Sequence, residues 1–181
     1  EEKEAVINSY FARREISYEN FQLFIRAFKK EKLLEVWVKE STADHYILLS
    51  TYDFCATSGD LGPKRKEGDL QIPEGVYTIN HFNPQSNFHL SLGIDYPNAS
   101  DKILGDQAHP GGAIYLHGNC VTIGCIPLTD DKIKELYVMA VEARNLGQEK
   151  IPVHIFPAKF TTNKLATLKQ DYPAGTGAFW E

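Results

Sequence analysis

The strongest constraint on the fold is a series of short segments in which apolar and polar residues alternate, cut apart by glycine- and proline-bearing turns. Leu34-Glu-Val36-Trp-Val38-Lys39 is the clearest, with an aliphatic side chain at every second position. Successive side chains of an extended chain face opposite ways, so such a run fits a strand with one buried face. The preceding Phe21–Phe28 segment fits two periods. Phe21, Phe24, Ile25 and Phe28 make a helical stripe, while Leu23, Ile25 and Ala27 make a strand face. Lys29-Lys-Glu-Lys32 reads as a polar turn between the two segments, which favours a β-hairpin. Further strand-like runs are His45–Thr51, Gly75–His81, His89–Ile94, Ala113–Leu116 and Val153–Phe156.

One segment has a clear helical period. Thr129 is a good N-cap, Asp130 and Asp131 in the first turn complement the helix dipole, and Gly147 stands near the end. Ile133, Leu136, Tyr137, Ala140 and Val141 repeat at i, i+3, i+4, i+7 and i+8, as an amphipathic helix requires. A second helix is expected at Thr162–Gln170, and the tail from Tyr172 to Trp180 reads as irregular. Residues 1–20 read as a charged, partly helical lead-in, with Val6, Ile7, Tyr10 and Phe11 on one face. Residues 21–181 are expected to form a single, mainly β domain, a sandwich or half-open barrel with one or two peripheral helices.

Composition narrows the function. With 181 residues, a formal net charge of −5 and no long basic tract, the chain lacks what phosphate neutralisation needs, so no nucleic-acid partner is expected. No apolar run reaches ten residues, so no membrane span is expected. The chain opens on Glu1-Glu-Lys-Glu4 rather than methionine, which reads as a mature or trimmed form with a signal peptide removed. The three cysteines, Cys55, Cys120 and Cys125, are too few for a disulfide scaffold. A Cys55–Cys120 bridge would leave Cys125 free; two structural thiols are an equal alternative.

The chemistry concentrates between Ile114 and Cys125. His117 ends an apolar strand-like run, and Cys125 follows Gly124 eight residues later on a compact turn. A thiol attacks as the thiolate, and a neighbouring imidazole can take its proton. The bland reading is a satisfied histidine and a small core cysteine. A zinc reading draws on His109, His117, Cys120 and Cys125, but H-x7-H-x2-C-x4-C does not match paired knuckles. The loop Ser58-Gly-Asp-Leu-Gly-Pro-Lys64-Arg65-Lys-Glu-Gly-Asp69 is a solvated loop or a cationic rim for a carboxylate. In Phe88–Pro97, the polar residues His89, Ser91 and Tyr96 would face a cleft or simply alternate along a strand. His45, His81 and His154 read as structural or surface residues.

Several of these segments together resemble the L,D-transpeptidase catalytic-domain (YkuD-like) family, and in particular its YafK-like branch. They are Leu34–Trp37, Ser58–Asp69, Pro73–Ile79, Leu92–Asn98 and His117-Gly-Asn-Cys-Val-Thr-Ile-Gly-Cys125, in that order. The resemblance spans about Leu23 to Phe156. It implies a β-rich fold and a cysteine nucleophile acting through a thioester on peptidoglycan stem peptides, at the L-centre of diaminopimelate. Cys125 matches the nucleophile, His117 its partner, and Gly118 the residue whose carbonyl orients that histidine. The amides of Gly124 and Cys125 would be oxyanion donors. Lys64, Arg65, His89 and Tyr96 are candidates for substrate contact.

Three features of the broader family are missing. The insertion usual between the histidine and the cysteine is short here, Ile123 stands where a second histidine is usual, and Pro127 follows Ile126 where an arginine is typical. The resemblance implies an L,D-transpeptidase, an L,D-carboxypeptidase or a lipoprotein-releasing amidase in the cell envelope. Its partners would be stem peptides and a peptidoglycan-linked lipoprotein. It would work as a monomer, with no cofactor and no metal. The alternative class is a non-catalytic peptidoglycan-binding module.

Overall fold

The computed structural model describes residues 3–160, 162–172 and 174–180. Eight strands form one sheet: β1 (Phe21–Phe28), β2 (Leu33–Glu40), β3 (Ile47–Asp53), β4 (Gly75–Asn83), β5 (Ser91–Ile94), β6 (Tyr115–His117), β7 (Ile126–Pro127) and β8 (Pro152–Phe156). Their order is β3-β2-β1-β8-β4-β5-β6-β7, and the sheet curls into a half-barrel. The hairpin reading of β1 and β2 holds, with Leu23 opposite Val38 and Ala27 opposite Leu34. β1 also pairs in parallel with β8, which brings the two ends of the sequence together in mid-sheet. β4 spans both halves. Gly75–Thr78 pair with β8, whereas Ile79–Asn83 pair with β5, after a register shift between Ile79 and His81.

The period-2 pattern sets the core. Phe21, Leu23, Ile25 and Ala27 are buried on one face of β1, with Val36 and Val38 beside them on β2. Helix α1 (Glu4–Ala12) adds Ile7 and Phe11 to this core. Two later helices are α2 (Ala99–Leu104) and α3 (Asp130–Asn145). α3 starts at Thr129, whose side chain accepts the Lys132 N–H, and it ends just before Gly147 at φ +95°. Its buried stripe is Ile133, Leu136, Met139, Ala140 and Ala143. That stripe is rotated from the sequence expectation, leaving Tyr137 and Val141 only half-buried.

On the other face of the hairpin, Arg26 lies 4.4 Å over the Trp37 ring and pairs with buried Glu35. Lys29 is also not the solvated turn residue its neighbours suggest. Its ammonium is buried, donates to Gly62 O (2.7 Å) and Ile72 O (2.8 Å), and pairs with Glu74 (3.1 Å). Glu74 in turn accepts from Gly62 N and Trp180 Nε1. A buried ion pair persists only when its remaining donors and acceptors are satisfied. Here they are, and the pair fastens the Ser58–Asp69 loop to the sheet.

Three further features differ from the sequence reading. α2 was not anticipated; an Asn98–Asp101 capping box starts it, and six residues are too few to show a period. Helix α4 (Thr162–Asp171) matches the expected second helix, but the tail read as irregular carries helix α5 (Ala174–Phe179). Contacts rather than propensity order this glycine-bearing segment: Trp180 binds Glu74, and Arg65 lies over Phe179. His89 stands outside β5, exposed and at φ +73°, not on a strand face. No described helix is long and apolar enough to cross a membrane.

Candidate active site

β6 ends at His117 and β7 begins at Ile126, and these short parallel strands hold the two ends of the intervening loop side by side. Leu128 N donates to His117 O (2.7 Å), and Gly118 N donates to Leu90 O (3.2 Å). Cys120 in this loop forms a disulfide with Cys55, just beyond β3, so of the two alternatives the bridge is the one present, and Cys125 is the free cysteine. The bridge also takes Cys120 out of the zinc reading, and no group of three or more potential ligands gathers among the described residues.

His117 is buried, and its Nδ1 lies 2.5 Å from Gly118 O. A carbonyl only accepts, so Nδ1 carries the proton and Nε2 is left as the basic nitrogen. Gly118 has no room for a side chain. A Cβ there would lie 2.6 Å from Asp130 Oδ1 and 2.9 Å from Phe88 O. His117 and Cys125 line one open cleft of about 470 Å³, with Phe88, Tyr115, Val121, Thr122 and Ile123 around them. Its rim is apolar and exposed, most of all at Ile123, where the residue is 78% exposed.

The Cys125 sulfur accepts from Tyr115 N (3.4 Å) and faces Ala113 O (3.8 Å). Burial raises the thiol's pKa, against the Tyr115 N–H and the charge of Lys64. Burial lowers the pKa of His117, opposed by the Gly118 carbonyl. Both shifts favour neutral thiol beside neutral imidazole. Neither shift, taken by itself, promotes a resting thiolate–imidazolium pair.

Thr122 is a residue the sequence reading missed. Its hydroxyl accepts from Gly124 N (3.1 Å) and Cys125 N (2.8 Å) and donates to Cys125 O (2.8 Å). The two amides expected as oxyanion donors thus converge on one oxygen, and in the resting site that oxygen is Thr122 Oγ1. A Ser or Thr three residues before a nucleophile on a glycine turn is the local signal for such a tie.

The substrate-contact candidates scatter. Lys64 lines a second cleft of about 270 Å³ that also ends at Cys125, with Glu67, Gly111 and Gly112 among its walls. Its ammonium is buried against Asp69 Oδ1 (2.6 Å) and Lys66 O (2.9 Å) rather than presented to solvent. Burial would raise the Asp69 pKa, but Lys64 and the N–H groups of Arg65, Lys66 and Gln71 hold it low. The Arg65 side chain sits instead with Asp101 and Phe179. Tyr96 is buried, donates to Pro110 O, and lines a third pocket with Ala113, Ile114 and Tyr115. His89 packs its Cβ near Gly118.

Comparison with known proteins identifies the family and the fold. The YkuD family profile, L,D-transpeptidase catalytic domain, matches residues 23–155. A protein of Escherichia coli K12 named "Putative L,D-transpeptidase YafK" is 35% identical over 161 residues, 88% of this chain and 62% of that protein. Among solved structures, the helical cell shape determining protein Pgp2 of Campylobacter jejuni superposes with a TM-score of 0.60 at 20% identity. That match covers 88% of this chain and 59% of Pgp2. Bd1075 of Bdellovibrio bacteriovorus gives 0.52 at 22%, covering 86% and 55%. The chain spans about three-fifths of the curated relatives it matches. With the profile covering most of the sequence, the chain belongs to the L,D-transpeptidase catalytic-domain family.

Proposed function

We propose that this protein is a cysteine acyltransferase or hydrolase of the cell envelope that acts on peptidoglycan stem peptides at the L-centre of diaminopimelate. The observation that carries the reading is the shared cleft of Cys125 and a His117 fixed by Gly118 as its Nδ1–H tautomer. His117 Nε2 takes the Cys125 proton as sulfur attacks the substrate carbonyl. The Gly124 and Cys125 amides, whose common orientation the Thr122 hydroxyl sets, share their protons with the developing oxyanion. The tetrahedral intermediate collapses, the imidazolium gives its proton to the departing amine, and a thioester remains on Cys125. Water then completes hydrolysis, or an amine completes transpeptidation, with His117 again as the base.

Two clefts that share Cys125 in their lining suit this two-substrate chemistry, one for the acyl donor and one for the leaving or entering amine. The apolar rim of Phe88, Val121 and Ile123 suits a methylene chain, as on the lysine of a peptidoglycan-linked lipoprotein. Pgp2, which shares the fold, is a protein that determines helical cell shape, and a role on the wall for this chain is in keeping with that. Incubation with purified muropeptides and with lipoprotein-linked peptidoglycan, followed by mass analysis of the products, tests the reading. Trimmed, cross-linked or lipoprotein-free products that require Cys125 support it. Equal processing by Cys125→Ala, or a Cys125 inert to thiol reagents in the folded protein, rejects it.

A further inference from the structure

The peptide group between Gly118 and Asn119 has both of its polar ends engaged. Its carbonyl oxygen accepts from His117 Nδ1 at 2.5 Å. Its N–H, on Asn119, donates to Asp130 Oδ1 at 2.7 Å. Asn119 holds φ +58°, a conformation asparagine tolerates better than most residues. The same carboxylate oxygen packs against Gly118, 2.6 Å from where a Cβ would stand. Imidazole, peptide group and carboxylate thus form one hydrogen-bonded chain.

We propose that Asp130 is a positioning residue for His117, the carboxylate of a triad in which a peptide group is inserted between histidine and acid. This rests on the reading of His117 as the catalytic base. A carboxylate accepting the peptide N–H polarises the amide and enriches its carbonyl oxygen in negative charge. That oxygen then stabilises the positive imidazolium formed when the thiol proton is taken, as a directly bonded aspartate does in serine hydrolases. The N–H bond also fixes the plane of the peptide and hence the line of its carbonyl. Asp130 does this from the first turn of α3, where it also complements the helix dipole.

The other charged or titratable groups around the pair are His89 beside Gly118, Cys125 in the shared cleft, Lys64 in the cleft beyond, and Asp131 and Lys132 on α3. Asp131 bonds Lys3, and Lys132 bonds Glu135. Among the described residues, Asp130 is the carboxylate that reaches this peptide group.

The test is a histidine-resolved NMR titration of the parent, Asp130→Asn, Asp130→Glu and Asp131→Asn, with the His117 signal assigned by its loss in His117→Gln. Asparagine keeps an acceptor oxygen and removes the charge, so a purely structural bond survives it. The relay predicts a His117 midpoint lower by about half a unit in Asp130→Asn, because the imidazolium loses a distant anion. It predicts no shift in Asp131→Asn, which removes the same charge one residue along. Asp130→Glu, which keeps the charge, stays nearer the parent than Asp130→Asn does. Acylation of Cys125 should fall about three- to tenfold in Asp130→Asn. An unchanged midpoint in Asp130→Asn overturns the relay, whether acylation is kept or lost, since Asp130 then only caps the loop. The titration needs no turnover, so activity retained in Cys125→Ala would reject the proposed function while leaving the relay to stand or fall on its own.

Discussion

Removing the Cys55–Cys120 bridge is expected to lower folding stability by about 4 kcal/mol. The bridged positions are 65 residues apart. In the chain-entropy relation, a loop of that length restricts the unfolded ensemble by about 14 cal/mol/K, or about 4 kcal/mol at 25 °C. The bridge also ties the loop between His117 and Cys125 to the end of β3, where Cys55 N donates to Pro127 O at 3.1 Å. The double variant Cys55→Ala/Cys120→Ala keeps Cys125 as the remaining thiol, so one preparation serves both measurements. Urea unfolding of parent and variant gives the stability difference, and iodoacetamide labelling of both folded proteins shows whether Cys125 keeps the parent's reactivity. A loss below about 1 kcal/mol would contradict the entropic account. Finding both thiols free in the air-oxidised parent would contradict the bridge itself.

The Thr122 hydroxyl gives a second expectation. Thr122→Ser should keep acylation within about threefold, whereas Thr122→Val, which strips the tie on both amides, should lower it by about ten- to a hundredfold. Alkylation by iodoacetamide builds no oxyanion and should change little in Thr122→Val; an equal loss in both assays would mean that Thr122 holds the sulfur rather than the amides. A third concerns pH. Burial moves the Cys125 thiol to more alkaline deprotonation and the His117 imidazolium to more acidic deprotonation. Alkylation should therefore be slow at neutral pH and climb through and beyond the ordinary thiol range near pH 8.5. A plateau of full reactivity from pH 5 to 7 would indicate a resting thiolate–imidazolium pair instead.

Much of the architecture is legible wherever the determinant is local. The alternation through Leu34–Lys39 defines β2, and Thr129 with its apolar period defines α3. What is not legible depends on distant partners. Nothing in Phe21–Phe28 announces a parallel neighbour at Pro152–Phe156, and nothing in Ala174–Phe179 announces a helix held through Glu74 and Arg65. The same division runs through the site. His117, Gly118 and Cys125 stand out because the motif is compact. Lys64 reads as a free cation until Asp69 is seen against it. Asp130 reads as a helix-dipole residue until the chain returns through β7 and brings it to Asn119.

The central claim, a thioester on Cys125 formed with the help of His117, is tested most directly by intact-protein mass spectrometry during reaction with a purified tetrapeptide muropeptide. The account predicts a mass adduct equal to the acyl portion, mapped to Cys125, absent in Cys125→Ala and strongly reduced in His117→Ala. Turnover without any adduct on the parent, or an adduct that persists in Cys125→Ala, would contradict it.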